Sequence, residues 1–250
     1  MKETIYTIPV NDAYQAGGEC PLCALQMTLD QQLLEYYLGP ALMEPDVRKT
    51  TNQKGFCREH LQALYASESN RLGLGLTLHT HLKDVSADLL AQLDGAAAVG
   101  RRTLLSGREK DYKDRLAATA RAISVREADC AICDRLSQTM ERYLDVIFYQ
   151  YFQDPAFRET FDHGPGYCLP HLSLLVEGAS RHLSQNQVSV FMPALASLQR
   201  RCLETLTDDV EWYTLKFDYR NSDKSWKNSK DALPRSIRRL SGGFERKSNK

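Results

Sequence analysis

Long apolar runs are missing from this sequence. The longest, such as "VIFYQYF" at 146–152, fall far short of the ~20 residues that a bilayer span requires, so no transmembrane helix is expected. An apolar leader is missing as well. "MKETIYTIPVND" passes from one lysine into polar and acidic residues where a secretory signal places its hydrophobic region, and the expectation is a cytoplasmic protein. The alternating β-branched patterns of strands are nearly absent. So are the motifs of common catalytic sites: there is no H-E-x-x-H, no phosphate-cradling G-x-x-x-x-G-K-[ST], no G-x-G-x-x-G after a strand and no G-x-S-x-G elbow. "GLGL" at 73–76 has no strand before it. Net charge is lacking too, with 32 basic against 32 acidic residues, so binding to nucleic acid is possible through a local patch but is not favoured.

What is present is the composition of a soluble globular protein, 42% hydrophobic and 26% charged, long enough at 250 residues for one large domain or two ordinary ones. Seven cysteines stand out. In a compartment that keeps thiols reduced, metal ligation or catalysis is a better expectation for them than disulfides.

The cysteines recur in a pattern. A shift of 110 residues places Cys20 on Cys130, Cys23 on Cys133, Pro45 on Pro155, Arg48 on Arg158 and Thr50 on Thr160; a shift of 111 places "GFCREHLQAL" (55–64) on "GYCLPHLSLL" (166–175). An internal duplication of a unit of roughly 110 residues is expected, within the size range of a small domain. Each copy reads as helical. Pro21 suits the first position of a helix, and Leu22, Leu25, Leu29, Leu33 and Tyr37 recur at helical spacing up to a stop near Gly39 and Pro40. A loop containing Pro45 follows to Gly55, then helices from about Cys57 and over about 77–93; in the second copy helices start near Ala131 and Leu169, and a long one covers about 188–217. The expected architecture is all-α: a tandem duplication of a zinc-pinned helical unit forming a pseudo-symmetric body with an extended C-terminal tail. Its divisions are a first C-x-x-C…C-x-x-H repeat (1–95), a connector with an amphipathic helix (96–128), a second repeat (129–219) and a basic tail (220–250).

Cys20, Cys23, Cys57 and His60 form the expected first ligand set, and Cys130, Cys133, Cys168 and His171 the second. Three thiolates and one imidazole are the donors of a closed tetrahedral zinc site. Both pairs of each set fall at helix starts, where free N–H groups and the helix dipole favour thiolate over thiol. Two zinc ions are expected, each contributing on the order of 10–16 kcal/mol by analogy with small zinc peptides. With four protein ligands per ion, no coordination position is left for a substrate or an activated water. Three other readings of the cysteines stand beside zinc: packing as small hydrophobes, a C-x-x-C redox pair, and an iron–sulfur cluster with Cys3His ligation. Cys202 lies in an apparent helix and reads as packing. His79 and His81 face different ways on a helix, and His163 reads as a loop residue or a contact behind the ligands.

The tail carries ten basic and three acidic residues over 220–250, a net +7 against −7 for the rest. Leu233, Ile237 and Leu240 have the i, i+4, i+7 spacing of a short basic amphipathic helix. It either folds back on the acidic body, the favoured reading, with Trp226 as an anchor, or docks on an acidic surface.

The paired "CPLCAL…GFCREHL" and "CAIC…GYCLPHL" segments, followed by "DYRN…W…SKDALPRSIRRLSGG", resemble an uncharacterised bacterial family known only as a domain of unknown function. The likeness covers nearly the whole chain and implies no activity. The leading expectation is a non-enzymatic, zinc-structured helical binding or scaffold protein whose partner is another macromolecule or a small ligand. The rivals are an iron–sulfur or thiol redox protein, and an enzyme with a pocket between the repeats.

Overall fold

The computed structural model describes residues 5–98 and 111–243. Part of the expected connector (99–110) and the end of the tail (244–250) lie outside them. Among the described residues there are eleven α-helices and no strand: α1 (Thr7–Gln15), α2 (Pro21–Leu38), α3 (Pro45–Lys54), α4 (Arg58–Ala66), α5 (Arg71–Ala97), α6 (Tyr112–Ala128), α7 (Ala131–Gln153), α8 (Pro155–Asp162), α9 (Leu169–His182), α10 (Gln185–Leu215) and α11 (Ala232–Ser241). No described helix is long and apolar enough to cross a membrane.

Local chemistry explains most of the boundaries. Pro21 opens α2, and α2 stops at Leu38 ahead of Gly39–Pro40, a pair that disfavours helix continuation. The 45–54 stretch, expected as a loop, is a helix: Pro45 sits in its first turn, Asp46 follows it and Lys54 ends it, which suits the missing N–H of proline and the helix dipole. Pro155 plays the same part in α8, where the Asp154 carboxylate accepts from the backbone N–H of Ala156 and Phe157 at 2.9 and 3.3 Å. α5 begins earlier than the apolar spacing predicts because Asn70 caps it, accepting from Gly73 N–H at 2.8 Å while donating to the Leu38 carbonyl at 2.8 Å.

The described residues divide into two compact units. Those up to Leu29 and from Ser137 onward form one, and Asp30–Leu136 form the other, so the divisions fall inside α2 and α7. The units therefore cut across the linear partition at 95 and 129. The first unit is centred on an aromatic cluster in which Tyr151 packs edge-on against Phe161 and Phe191 at 5.0 and 5.1 Å between centroids, surrounded by the buried Leu144, Ile147, Leu175, Leu195 and Leu198. In the second unit Leu33, Tyr37, Leu64, Leu74 and Ile132 are buried, and the Tyr37 hydroxyl donates to the Ala131 carbonyl at 3.2 Å.

In the first unit α11 packs against α9 and α10, and Trp226 lies against Tyr213 and Phe217 of the α10 end at 5.8 and 6.5 Å. The face it turns inward is not the apolar one. Ala232 and Arg239 are buried, whereas Leu233, Ile237 and Leu240 are exposed, because α11 is held by polar contacts: Arg235 pairs with Asp209 at 2.8 Å and Arg239 Nη2 donates to the Pro165 carbonyl at 2.8 Å.

Gly55 ends α3 with φ 66° and ψ −149°, a region essentially restricted to glycine, and a Cβ there would lie 2.3 Å from His81 Nε2. Gly55→Ala is expected to destabilise the protein by about 2–3 kcal/mol, read as a lowered denaturant midpoint. Gly75→Ala is the control: it sits inside α5 with nothing near its Cβ, and should raise stability by about 0.5–1 kcal/mol.

Candidate metal centres

The eight expected ligands gather into two clusters, but not with the expected partners. One cluster joins Cys20 and Cys23 to Cys168 and His171; the other joins Cys57 and His60 to Cys130 and Cys133. Each therefore takes the C-x-x-C of one expected repeat and the C-x-x-H of the other. The sets Cys20–Cys23–Cys57–His60 and Cys130–Cys133–Cys168–His171, inferred from proximity in sequence, are corrected accordingly.

Contacts behind the second cluster accompany its membership. His60 Nε2 is bonded to the Asp30 carboxylate at 2.8 Å. Ala131 N–H donates to the Gly55 carbonyl at 3.0 Å, and the Lys54 ammonium bridges Asp129 and Asp134 on either side of the Cys130–Cys133 knuckle. In the first cluster His171 Nε2 meets Gln26 Oε1 at 2.7 Å, one turn beyond Cys23. The Tyr14 and Tyr167 hydroxyls, each upstream of a ligand pair, meet at 2.8 Å.

All four ligand pairs stand at helix starts, as expected. Cys20, Cys57, Cys130 and Cys168 each precede the first residue of α2, α4, α7 and α9. Their carbonyls accept from the first turn, as in Leu61 N–H to Cys57 at 2.9 Å and Leu172 N–H to Cys168 at 2.8 Å.

Each histidine turns Nδ1 towards the sulfurs. In the first cluster the Nδ1 of His171 lies 3.5, 3.3 and 3.1 Å from the sulfurs of Cys20, Cys23 and Cys168, and Cys23 and Cys168 are 3.6 Å apart. In the second, His60 Nδ1 lies 3.1, 3.4 and 3.3 Å from Cys57, Cys130 and Cys133, and Cys57 and Cys133 are 3.8 Å apart. A tetrahedral ion with metal–sulfur bonds of about 2.3 Å and a metal–nitrogen bond of about 2.0 Å sets edges of about 3.8 Å between sulfurs and about 3.5 Å between sulfur and nitrogen. These eight separations lie within about 0.4 Å of those edges, and all donor atoms of each cluster lie within 4.8 Å of one another. All seven cysteines are free.

The protonation pattern is that of a ligand set sharing charge. Burial opposes a charged imidazole at His60, yet the bond to Asp30 and the sulfurs of Cys130 and Cys57 outweigh it and raise the pKa to about 10. At His171 burial is likewise outweighed, by the sulfurs of Cys168 and Cys23, and the pKa rises to about 9. Burial pushes the Cys130 thiol up, but the His60 ring and the backbone N–H groups of Cys133 and Cys57 bring it down to about 6; Cys133 is pushed up by burial and by Cys130. Cys23 is lowered by its contacts with Cys168 and Cys20, and Cys20 is raised by Cys168 and Cys23. Neighbouring thiols do not all ionise together without a cation.

The chain belongs to DUF6062, a family of unknown function. The family model matches residues 1–247, and so takes in both clusters and the tail. No curated protein and no solved structure matches the chain.

The other residues singled out in the sequence stay apart from both clusters. His81 Nδ1 meets the Asn52 carbonyl at 2.7 Å, His79 is exposed, and His163 Nδ1 meets the Glu159 carbonyl at 3.0 Å. Cys202 lies beside Gly166, whose Cβ would come within 3.0 Å of its sulfur. The partners behind the ligands, Asp30 and Gln26, escaped the sequence reading. Their signal is faint: Gln26 stands between Leu25 and Met27, and Asp30 follows Leu29 as a buried acid.

Two outcomes follow. Cys20→Ser combined with Cys168→Ser should leave one metal equivalent in the purified protein, whereas Cys20→Ser combined with Cys57→Ser should leave none; the linear pairing requires the reverse, and elemental analysis decides. Metal uptake should also release protons. Without an ion both imidazoles hold a proton at neutral pH, as do Cys20 and Cys133, and the ion displaces these protons. Adding zinc to metal-free protein in weak buffer should acidify it, and apparent affinity should fall as pH falls; no acidification would contradict the ligand set.

Proposed function

We propose that the protein is a non-enzymatic helical binding or scaffold protein held together by two structural zinc ions, one on Cys20, Cys23, Cys168 and His171 and one on Cys57, His60, Cys130 and Cys133. The observation that carries this reading is the set of sulfur–nitrogen separations of 3.1–3.5 Å and sulfur–sulfur separations of 3.6 and 3.8 Å, which lie close to the edges of a tetrahedron around one small ion. All ligand atoms of each cluster lie within 4.8 Å of one another. A cluster of several irons places its thiolates on different metal atoms, farther apart than donors that share one ion, so a single zinc fits better than iron–sulfur chemistry. Three thiolates with one imidazole are donors that zinc favours. The Nε2 bonds to Asp30 and Gln26 supply the fixed ring orientation that metal-bound histidines ordinarily have.

With four protein donors each, the ions keep no open position and serve folding rather than catalysis. The parallel placement of the knuckles at the starts of α2 and α4 and of α7 and α9 supports an internal duplication whose two halves have exchanged ligand pairs. Free thiols suit a reducing compartment such as the cytoplasm.

Elemental analysis with an ultraviolet–visible spectrum, on protein purified without oxygen or affinity metals, is the test. Two zinc equivalents in a colourless sample are expected, with loss of helical circular dichroism when a strong chelator removes them. Iron with sulfide and visible bands would replace this reading with a redox one.

A further inference from the structure

The two clusters are not equally covered. In the first, Cys20, Cys168 and His171 are buried and Cys23 alone is partly exposed; in the second, His60 and Cys130 are buried, whereas Cys57 and Cys133 are both partly exposed. The end of the described chain shields the first. Gly243 N–H donates to the Cys23 sulfur at 3.3 Å, and a Cβ on Gly242 would lie 3.9 Å from the Cys168 sulfur and 3.8 Å from Pro170. In the second cluster the Cys133 N–H donates at 3.4 Å to Cys130, a sulfur that is already buried. Among the described residues the sulfurs of Cys57 and Cys133 accept no backbone N–H bond.

Burial and hydrogen bonding decide which metal-bound thiolates react. The thiolate is the nucleophile; a backbone donor draws charge from it, and burial keeps reagents away. Cys57 and Cys133 lack both protections. Their sulfurs are 3.8 Å apart, so a sulfur oxidised at one position has a resolving thiolate beside it. Cys202, which belongs to neither cluster, is a slower competitor, because burial pushes its thiol up and leaves little thiolate at neutral pH.

We propose that Cys57 and Cys133 form a peroxide-reactive pair, oxidised to a disulfide with release of the ion of the second cluster while the first cluster keeps its own. This modification rests on the zinc reading above. One thiolate attacks an oxygen of hydrogen peroxide: the S–O bond forms, the O–O bond breaks and hydroxide leaves. The other thiolate then attacks the oxidised sulfur, so that the S–S bond forms, the S–O bond breaks and a second hydroxide leaves. Two protons turn both hydroxides into water. The pair gives up two electrons, the peroxide takes them, and the ion is left with two of its four ligands. Oxidation thus frees the starts of α4 and α7 from each other, within the second unit.

The test uses the full-length, reduced protein as purified, with its metal content measured before hydrogen peroxide is added. Zinc release is followed with a chromogenic indicator against a peroxide-free control, and the cysteines are mapped by peptide mass spectrometry. One equivalent should leave at least about tenfold faster than the other, a difference the size of one hydrogen bond to a charged group, and a Cys57–Cys133 disulfide should appear with it. Thiol reductant with added zinc should restore that equivalent. Gly243→Pro, which removes the N–H donor to Cys23, should speed release from the first cluster and leave the second unchanged. If that variant fails to fold, the wild-type rates and the disulfide map decide. No release, equal rates, earlier release from the first cluster, or a folded Gly243→Pro protein that behaves as the parent overturns the proposal and leaves the zinc reading standing. Fewer than two zinc equivalents before peroxide overturns both.

Discussion

Each Cys3His cluster ties together two points of the chain that are far apart in sequence: Cys23 and Cys168 are separated by 145 residues, and Cys57 and Cys133 by 76. An ion shared by such ligands does more than fasten two neighbouring turns. It closes a long loop, and loop closure removes more freedom from the unfolded chain as the loop grows, though only logarithmically. The compact units follow from this pairing, since each contains one complete cluster and draws helices from both halves of the sequence.

Electrostatics supports the same arrangement. Four helix starts converge in pairs, so each group of sulfurs faces backbone N–H groups and the positive ends of two helix dipoles. The histidines are oriented from behind by a carboxylate in one cluster and by an amide in the other. The two sites are therefore not chemically identical. A carboxylate faces the His60 ring where an amide faces that of His171, and Lys54 with Asp129 and Asp134 adds a bridge around the Cys130–Cys133 knuckle.

The C-terminal segment belongs to the surroundings of the first cluster. Gly243 N–H reaches the Cys23 sulfur at 3.3 Å, and Gly242, at φ 89°, takes a turn that a side chain would strain. A backbone donor to a thiolate lowers its charge density without adding a ligand. α11 reaches this place through Arg235 and Arg239, leaving Leu233, Ile237 and Leu240 in solvent.

The eight cysteines and histidines of the two clusters, the helical class and most helix starts were legible in the sequence, because each depends on local chemistry: knuckle spacing, a proline in a first turn, leucines on one stripe. α3 was missed for a local reason as well, since Pro45 was read as part of a loop although it opens a helix; the helix that Pro155 opens was not read at all. Which C-x-x-C meets which C-x-x-H was a different kind of question. Both pairings use the same residues with the same spacing, so no pattern along the chain distinguishes them. Contacts between residues distant in sequence, such as Asp30 with His60 and the Gly55 carbonyl with Ala131 N–H, go with the pairing found, and only the tertiary structure decides it. The same holds for Arg239, an ordinary basic residue of the tail until packing buries it with two donors unmet.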